Sequence, residues 1–228
     1  MWLTDRRAVP LLIVLSLMAF VAFSLWPGLD LAVTSLFYDG KVFRIAAYPG
    51  VETLRLALWD AAIAMFVFTL AMTITTALLR APLLGLAVKA WGFITLTFVL
   101  GPGVLVNGLL KRHWGRARPA DTLNFGGTAQ FTPPYQITDQ CAANCSFVSG
   151  EAAGATVLAI ALLLILAGNR ARLPGWGFRV GQGIAIAILL FTMWQRVAAG
   201  RHFLSDVTLA ALFVALIAAV LAQVMRLR

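Results

Sequence analysis

The sequence predicts an all-α integral membrane protein built as a bundle of six transmembrane helices. Of its 228 residues, 61% are hydrophobic and only 12% are charged, a balance far from that of a soluble globular domain. Uncharged apolar runs recur that are long enough to cross a hydrocarbon core of about 30 Å. We place the six spans at residues 8–26, 56–79, 90–110, 151–168, 181–197 and 205–225.

These spans leave no room for a separate soluble domain, so we expect residues 1–228 to form a single membrane-embedded domain. The first apolar run follows a charged start and therefore resembles the middle of a signal peptide. No clean cleavage site of small residues precedes Trp26 and Pro27, so we expect this run to be retained as the first span.

The positive charge of the chain lies between the spans. Eighteen Lys and Arg against nine Asp and Glu give a net charge of +9, which in a soluble protein would suggest a nucleic-acid partner. No nucleic-acid motif is present, and we expect no such partner. Cations between spans suit the headgroups of a lipid bilayer, orientation in the membrane, or an anionic substrate.

The distribution of Lys and Arg over the alternating connections does not by itself orient the bundle, because nine fall on each side. One side carries Arg6, Arg7, Arg80, Lys89, Arg170, Arg172, Arg179, Arg226 and Arg228. The other carries Lys41, Arg44, Arg55, Lys111, Arg112, Arg116, Arg118, Arg196 and Arg201. If a ligand holds the last six of the second group, the balance becomes nine against three. Both termini are then predicted to be cytoplasmic.

A first cluster of candidate functional residues, KRHWGRARP at 111–119, ends the third span and places five basic residues within eight positions. The planar fork of Arg matches phosphate oxygens two at a time, and Lys supplies a compact charge, so the cluster suits a phosphate. Lipid headgroup binding or a topology signal is the alternative.

A second cluster, CSFVSGEAAG at 145–154, opens the fourth span. Ser149 and Gly150 precede an apolar helical run, which predicts a helix N-terminus whose free N–H groups can bind an anion. The alternative is purely structural, because Glu151 in a first turn also suits the helix dipole.

A third cluster, RVAAGRHFLSD at 196–206, joins the last two spans. If the last helix has begun, His202 and Asp206 share a face, and the carboxylate can fix the imidazole tautomer and activate the other ring nitrogen. Arg196 would close this site. An interfacial histidine beside a capping aspartate is the alternative. All three clusters emerge on one side of the membrane, which predicts an active site at one membrane face.

The loop at about 111–150 is long and aperiodic, and its aromatic residues and paired prolines predict an ordered structure. Cys141 and Cys145 lie in this loop. A disulfide between them is expected if the loop faces an oxidising compartment, and two free thiols are the alternative.

The three clusters resemble the signature of the type 2 phosphatidic acid phosphatase superfamily, K-x6-R-P, P-S-G-H and S-R-x5-H-x3-D. The matching residues are Lys111, Arg118 and Pro119 in the first part and Arg196, His202 and Asp206 in the third. Gln195 replaces the serine of the third part. In the second part Val148 replaces proline and Glu151 replaces histidine.

The resemblance implies a metal-independent lipid phosphatase without a cofactor, in which a histidine forms a phosphohistidine intermediate. His202 would attack phosphorus and Asp206 would orient it. Glu151 would either donate the proton to the leaving oxygen, its acidity weakened at a partly desolvated helix end, or shape the site. The expected phosphate ligands are Lys111, Arg118, Arg196 and the backbone N–H groups of Ser149 and Gly150. Possible headgroup contacts are Arg112, Arg116, Arg201 and Trp114.

The implied substrate is a phosphorylated membrane lipid on the outer, periplasmic face of a bacterial inner membrane. Lipid A is slightly favoured, because the extra arginines suit a bulky and multiply charged headgroup. Undecaprenyl diphosphate and phosphatidylglycerol phosphate remain open, as does transfer of the phosphate to a second lipid. Alternatives of another class are an anion transporter and a non-catalytic lipid-binding relative. The sequence makes no prediction of oligomeric state.

Overall fold

The computed structural model describes residues 2–227, and within that range it is helical with no β-strand. The helices of eight or more residues are α1 Ala8–Leu25, α2 Gly28–Ser35, α3 Pro49–Leu79, α4 Val88–His113, α5 Gly150–Gly168, α6 Gly175–Ala198 and α7 Leu204–Val224. All of them except the short α2 are long and apolar enough to cross a membrane. The predicted all-α bundle with six spans is therefore confirmed.

Helix α3 begins well before its predicted start. Its 31 residues extend over roughly 46 Å at about 1.5 Å per residue, which exceeds the hydrocarbon thickness of about 30 Å. The sequence prediction began at residue 56 because Glu52 and Arg55 interrupt the apolar run. These two residues lie in the first two turns of the helix, which project beyond the apolar stretch.

Helix α5 forms the centre of the bundle and packs against α3, α4, α6 and α7. Its first three turns are rich in glycine and alanine, and these residues are buried. Small side chains allow neighbouring backbones to approach closely, which is the usual basis of helix packing in membranes. At Gly154, for example, an added Cβ would lie 3.8 Å from both Ala62 and Trp59 of α3.

Helix α4 changes its winding halfway along. From Val99 to Leu110 it is a π-helix, which is wider than an α-helix, and this stretch contains Pro102. The side-chain amide of Asn107 donates to the Pro102 carbonyl at 2.7 Å. After this stretch the helix places Lys111 at the end of the bundle where the candidate site lies.

The two ends of the described chain meet at the opposite end of the bundle. Helix α1 packs against α7, and Gln223 Nε2 donates to the carbonyl of Asp5 at 2.9 Å. Asp206 occupies the first turn of α7 and Gln223 its last, so about 25 Å of helix separates them. The candidate site is therefore remote from both ends of the described chain.

Candidate active site

The three sequence clusters meet around one polar cavity of about 320 Å³ at the end of the bundle. Lys111 and Arg118 come from the first cluster, Gly150 and Glu151 from the second, and Arg196, Arg201 and His202 from the third. Helix α3 and neighbouring segments complete the lining with Glu52, Arg55, Trp59, Asn107 and Asn144. Within residues 2–227, no group of three or more His, Cys, Asp or Glu side chains is placed to hold a metal ion.

His202 lies just before α7 and is only 3% exposed. Its Nδ1 atom lies 2.8 Å from the carbonyl oxygen of Ser146. A carbonyl oxygen can only accept a hydrogen bond, so this contact assigns the proton to Nδ1 and leaves a lone pair on Nε2. Burial lowers the pKa of His202 to about 4, so the ring is neutral at neutral pH.

Asp206 does not hold the imidazole directly. Its Oδ2 atom is 3.8 Å from His202 Nδ1, which is too long for a hydrogen bond. The same oxygen accepts from Ser146 Oγ at 2.5 Å and from the backbone N–H of Phe203 at 2.9 Å. The expectation that Asp206 fixes the tautomer is corrected, because His202 precedes the helix and the carbonyl of Ser146 takes that place. The carboxylate holds Ser146 by this hydrogen bond and places its charge 3.8 Å from the imidazole.

Arg116 is fully buried and bridges two carboxylates. Its Nη1 donates to Asp206 Oδ1 at 2.7 Å, and its Nη2 donates to Asp30 Oδ2 at 2.8 Å. Asp30 belongs to α2 and also accepts from the N–H and hydroxyl of Ser205 at 2.8 and 2.6 Å. The predicted headgroup contact of Arg116 is therefore wrong, because the side chain has no exposed surface and instead fixes Asp206.

A turn at Gly115 separates Arg116 from the arginine that precedes it. Gly115 has a φ of +67°, and an added Cβ would lie 1.6 Å from the carbonyl oxygen of Thr138, so only glycine fits. Arg112 lies before this turn on the last helical turn of α4 and is exposed, whereas Arg116 lies after it and is buried. The turn gives two nearby arginines opposite environments.

Asn144 holds the two cations of the first cluster. Lys111 Nζ donates to Asn144 Oδ1 at 2.9 Å, and Arg118 Nη2 donates to the Asn144 carbonyl at 2.8 Å. The structure places Cys141 and Cys145 in a disulfide, one of the two predicted states, and this bond closes the loop that carries Asn144. The loop thus presents both cations to the cavity.

The second cluster forms the helix N-terminus that the sequence predicts. The Ser149 hydroxyl accepts from the N–H of Ala152 at 3.2 Å and so caps α5. The N–H of Ser149 donates to the carbonyl of Asp206 at 3.2 Å. This corrects the expected role of Ser149 as a phosphate ligand, because its N–H is already bonded. Gly150 does line the cavity.

Glu151 is paired with two arginines. Its Oε1 atom accepts from Arg196 Nη1 at 2.7 Å and from Arg55 Nη1 at 3.2 Å. Arg55 Nη2 also donates to Glu52 Oε1 at 2.6 Å. The buried Gln195, which stands where the family signature has serine, accepts from Arg196 Nε at 2.6 Å. These contacts fix two guanidinium groups at the cavity.

The remaining predicted headgroup residues differ in exposure. Arg201 is exposed and lines the cavity, whereas Arg112 lines a separate neighbouring cavity. Trp114 is half-buried. Its indole N–H donates to the Pro134 carbonyl at 2.9 Å, and its ring stacks on that of Phe147 with the ring centroids 4.5 Å apart. Of these three side chains, Arg201 is the one placed beside the candidate site.

Sequence reasoning missed several residues that shape the site, among them Asp30, Arg55, Asn144 and Ser146. Arg55 carried a usable signal, because the topology already placed it on the side of the three clusters. Asn144 and Ser146 are small polar residues in an aperiodic loop, and Asp30 is a single acid between two apolar stretches. Neither pattern distinguishes a positioning residue from an ordinary loop residue.

Comparison with known proteins gives both a family and named relatives. The family model of the PAP2 superfamily matches residues 92–228, which include all three clusters. A lipid A 4'-phosphatase of Francisella tularensis subsp. novicida (strain U112) is 31% identical over 212 residues, which cover 89% of this chain and 88% of the relative.

Two further relatives bear the same name. The lipid A 4'-phosphatases of Rhizobium leguminosarum and Rhizobium etli are 42% and 45% identical over 113 and 111 residues, or 50% and 49% of this chain. The matches span less than half the length of these two relatives, 45% and 40%. No solved structure matches the chain.

Proposed function

The chain belongs to the PAP2 superfamily, and on that premise we propose that it is a membrane lipid phosphatase acting on lipid A. The observation that carries the proposal is a neutral histidine facing a cation-lined cavity, with one ring nitrogen bonded to Ser146 and the other unprotonated. The names of the three relatives support lipid A as the substrate.

In the first step His202 Nε2 attacks phosphorus in line with the leaving lipid oxygen. A P–N bond forms, the P–O bond to the lipid breaks, and the ring becomes a positively charged phosphohistidine. That charge develops 2.8 Å from the Ser146 carbonyl and 3.8 Å from the Asp206 carboxylate. Both groups are fixed before the reaction, so they stabilise the intermediate without rearrangement.

The phosphate oxygens bind the cations of the cavity. Lys111, Arg118 and Arg196 line it and are held by neutral or acidic neighbours that leave other donors of each group available. Gly150 at the N-terminus of α5 adds a backbone N–H oriented by the helix dipole. Charge spread over the equatorial oxygens of the transferring group is stabilised by these donors.

Glu151 is the proposed proton donor to the leaving oxygen, and it enters the first step as the carboxylic acid, with its proton on Oε2. Its Oε1 holds Arg55 and Arg196, whereas within the described residues its Oε2 has no hydrogen-bond partner. Glu151 lines the cavity, so Oε2 is the atom that can reach the lipid oxygen. In the second step a water molecule attacks phosphorus while Glu151 takes a proton from it. The P–N bond breaks, and Glu151 regains the proton that it gave to the leaving oxygen.

We also propose that both termini are cytoplasmic and that the site faces the periplasm of a bacterial inner membrane. The meeting of Asp5 and Gln223 supports a common side for the two ends. Lys111, Arg118, Arg196 and Arg201 line the cavity and Arg116 is paired inside the fold, which leaves fewer cations on that side to act as a topology signal. A periplasmic reporter fused after residue 228 should be inactive and a cytoplasmic one active; the reverse would overturn this orientation.

The experiment for the activity is phosphate release by the purified protein from lipid A, undecaprenyl diphosphate, phosphatidylglycerol phosphate and phosphatidic acid, with EDTA present. We expect release from lipid A at the highest kcat/KM, unaffected by EDTA and abolished in His202→Ala. Release that persists in His202→Ala would overturn the mechanism. Faster release from another lipid of the panel would overturn the substrate assignment.

A further inference from the structure

A second cavity of about 570 Å³ adjoins the first. The two cavities share Glu52, Arg196 and Arg201 in their linings. A volume of this size lies within the range of small-molecule sites, roughly 300–1,000 Å³. A ligand whose phosphate occupies the first cavity can therefore extend into the second cavity, past the Arg196 and Arg201 side chains.

One wall of the second cavity is aromatic. Tyr38, Phe43 and Phe125 form a cluster with ring centroids 5.1 to 5.4 Å apart, and all three line the cavity. Aromatic rings offer flat apolar surface, and the Tyr38 hydroxyl adds a polar tip. This combination fits the C–H face of a sugar ring together with its hydroxyl groups.

The wall is held in place by its own loop and by the third cluster. Asp39 accepts from the N–H of Lys41 and of Val42 at 3.0 and 2.8 Å, which fixes the turn between Tyr38 and Phe43. Gly200 has a φ of +65°, and an added Cβ would lie 2.4 Å from the Phe43 ring. The aromatic wall therefore packs directly against the segment that carries the active-site arginines.

The rim of the second cavity is cationic. Lys41 and Arg201 line it and are exposed, and in the described part of the chain neither side chain has an ion-pair partner within 4.0 Å. The shared wall also presents Glu52, whose carboxylate can accept from hydroxyl groups. Cations, an acceptor and an aromatic face thus surround one space.

We propose that the second cavity is a subsite for the saccharide that bears the reacting phosphate, with Lys41 and Arg201 taking a further anionic group of the same headgroup. This inference rests on the proposed function, since it places the reacting phosphate in the first cavity. The ligand class is a phosphorylated glycolipid such as lipid A, an acylated glucosamine disaccharide. A glycerol phospholipid has no sugar to place there.

The test compares lipid A with phosphatidic acid in the same detergent micelles. Ala46 lines the second cavity but not the first, so Ala46→Trp fills the subsite. We expect the ratio of kcat/KM for lipid A to kcat/KM for phosphatidic acid to fall about tenfold or more.

Lys41→Ala should lower the same ratio severalfold and Lys41→Arg should restore it. A soluble glucosamine phosphate should inhibit wild type more strongly than Ala46→Trp, whereas equal inhibition would assign the discrimination to the lipid anchor and overturn the saccharide subsite.

The matched control is Tyr48→Trp, an exposed residue two positions along that lines neither cavity. It should leave the ratio unchanged. If Ala46→Trp changes both substrates equally or neither, the subsite is overturned while the proposed function stands.

A binding measurement separates the two failures. Equilibrium binding of lipid A micelles to the His202→Ala variant needs no turnover. If wild type hydrolyses neither lipid, but His202→Ala binds lipid A and loses that binding on adding Ala46→Trp, the subsite stands and the proposed hydrolysis fails. If the added Ala46→Trp leaves binding unchanged, the subsite is overturned.

Discussion

The Nδ1 atom of His202 donates to the carbonyl oxygen of Ser146 at 2.8 Å. A backbone carbonyl cannot be removed by side-chain substitution and cannot take a proton at ordinary pH. The tautomer of His202 is therefore set by the fold of the loop before α5, while the Asp206 carboxylate supplies charge from 3.8 Å away. The consequences of this arrangement, and of the contacts around it, can be measured.

The pH profile should report the buried state of His202. Burial lowers its pKa to about 4, so kcat/KM should show no histidine limb near pH 6.5, and the acid side of the profile should fall only as the pH approaches 4, where the ring takes a proton. Between pH 6.5 and 4 the unfolded chain binds more protons at this position than the folded one, so the free energy of unfolding should decrease as the pH is lowered.

The measurement is kcat/KM against pH for wild type and for His113→Asn, which removes the only other histidine of the sequence. An acid limb near pH 6.5 that is present in both proteins would contradict a neutral, buried His202.

Arg116 and Arg112 should differ sharply in their effect on stability. Breaking a buried ion pair costs about 3–5 kcal/mol, so Arg116→Ala should lower the Tm in detergent by about 10 °C and reduce activity through Asp206. Arg116→Lys should be intermediate, because an ammonium group cannot span Asp30 and Asp206. Arg112→Ala removes an exposed side chain and should leave the Tm within about 1 °C. Equal effects of the two alanine variants would contradict the bridge.

The leaving group should reveal the role of Glu151. A proton donor matters most when the leaving oxygen is a poor leaving group, so Glu151→Gln should slow hydrolysis of alkyl phosphates about 100-fold or more. Hydrolysis of p-nitrophenyl phosphate, whose leaving group needs no proton, should slow much less. If Glu151→Gln slows both substrates equally, Glu151 serves to hold Arg55 and Arg196 and donates no proton.

The disulfide loop should affect phosphate binding through Asn144. Asn144→Ala removes the acceptor of Lys111 Nζ and should raise KM severalfold with a smaller change in kcat. Reduction of wild type with dithiothreitol frees the loop and should act in the same direction. A Cys141→Ser/Cys145→Ser variant should match reduced wild type and be insensitive to dithiothreitol. Wild-type KM in Asn144→Ala would remove this loop from phosphate binding.

The sequence predicted the fold and the meeting of the three clusters because both follow from strong signals. Apolar runs define the spans, and alternation along the chain brings Lys111, Glu151 and His202 to the same end of the bundle. Helix α3 was predicted too short because its first turns are charged. The prediction for Asp206 was wrong in its detail because it assumed that the last helix begins at His202.

The burial and the bonding partners of individual polar side chains depend on tertiary contacts, which no local sequence pattern contains. The sequence predicts the same role for Arg112 and Arg116 as members of one basic cluster. Their different environments arise from the turn at Gly115. The burial of Arg116 depends on Asp30, which lies 86 residues away in sequence. A lone aspartate in a short helix carries no sign of that distant partner.

Catalysis by His202 is tested most directly by trapping the covalent intermediate. Wild-type protein would be mixed with 32P-labelled lipid A, quenched within milliseconds, and its labelled peptides mapped. The proposed mechanism predicts a label on the peptide that contains His202, stable in base and lost in acid, and absent from His202→Ala. Rapid phosphate release with no label on this peptide, or a label on another residue, would contradict it.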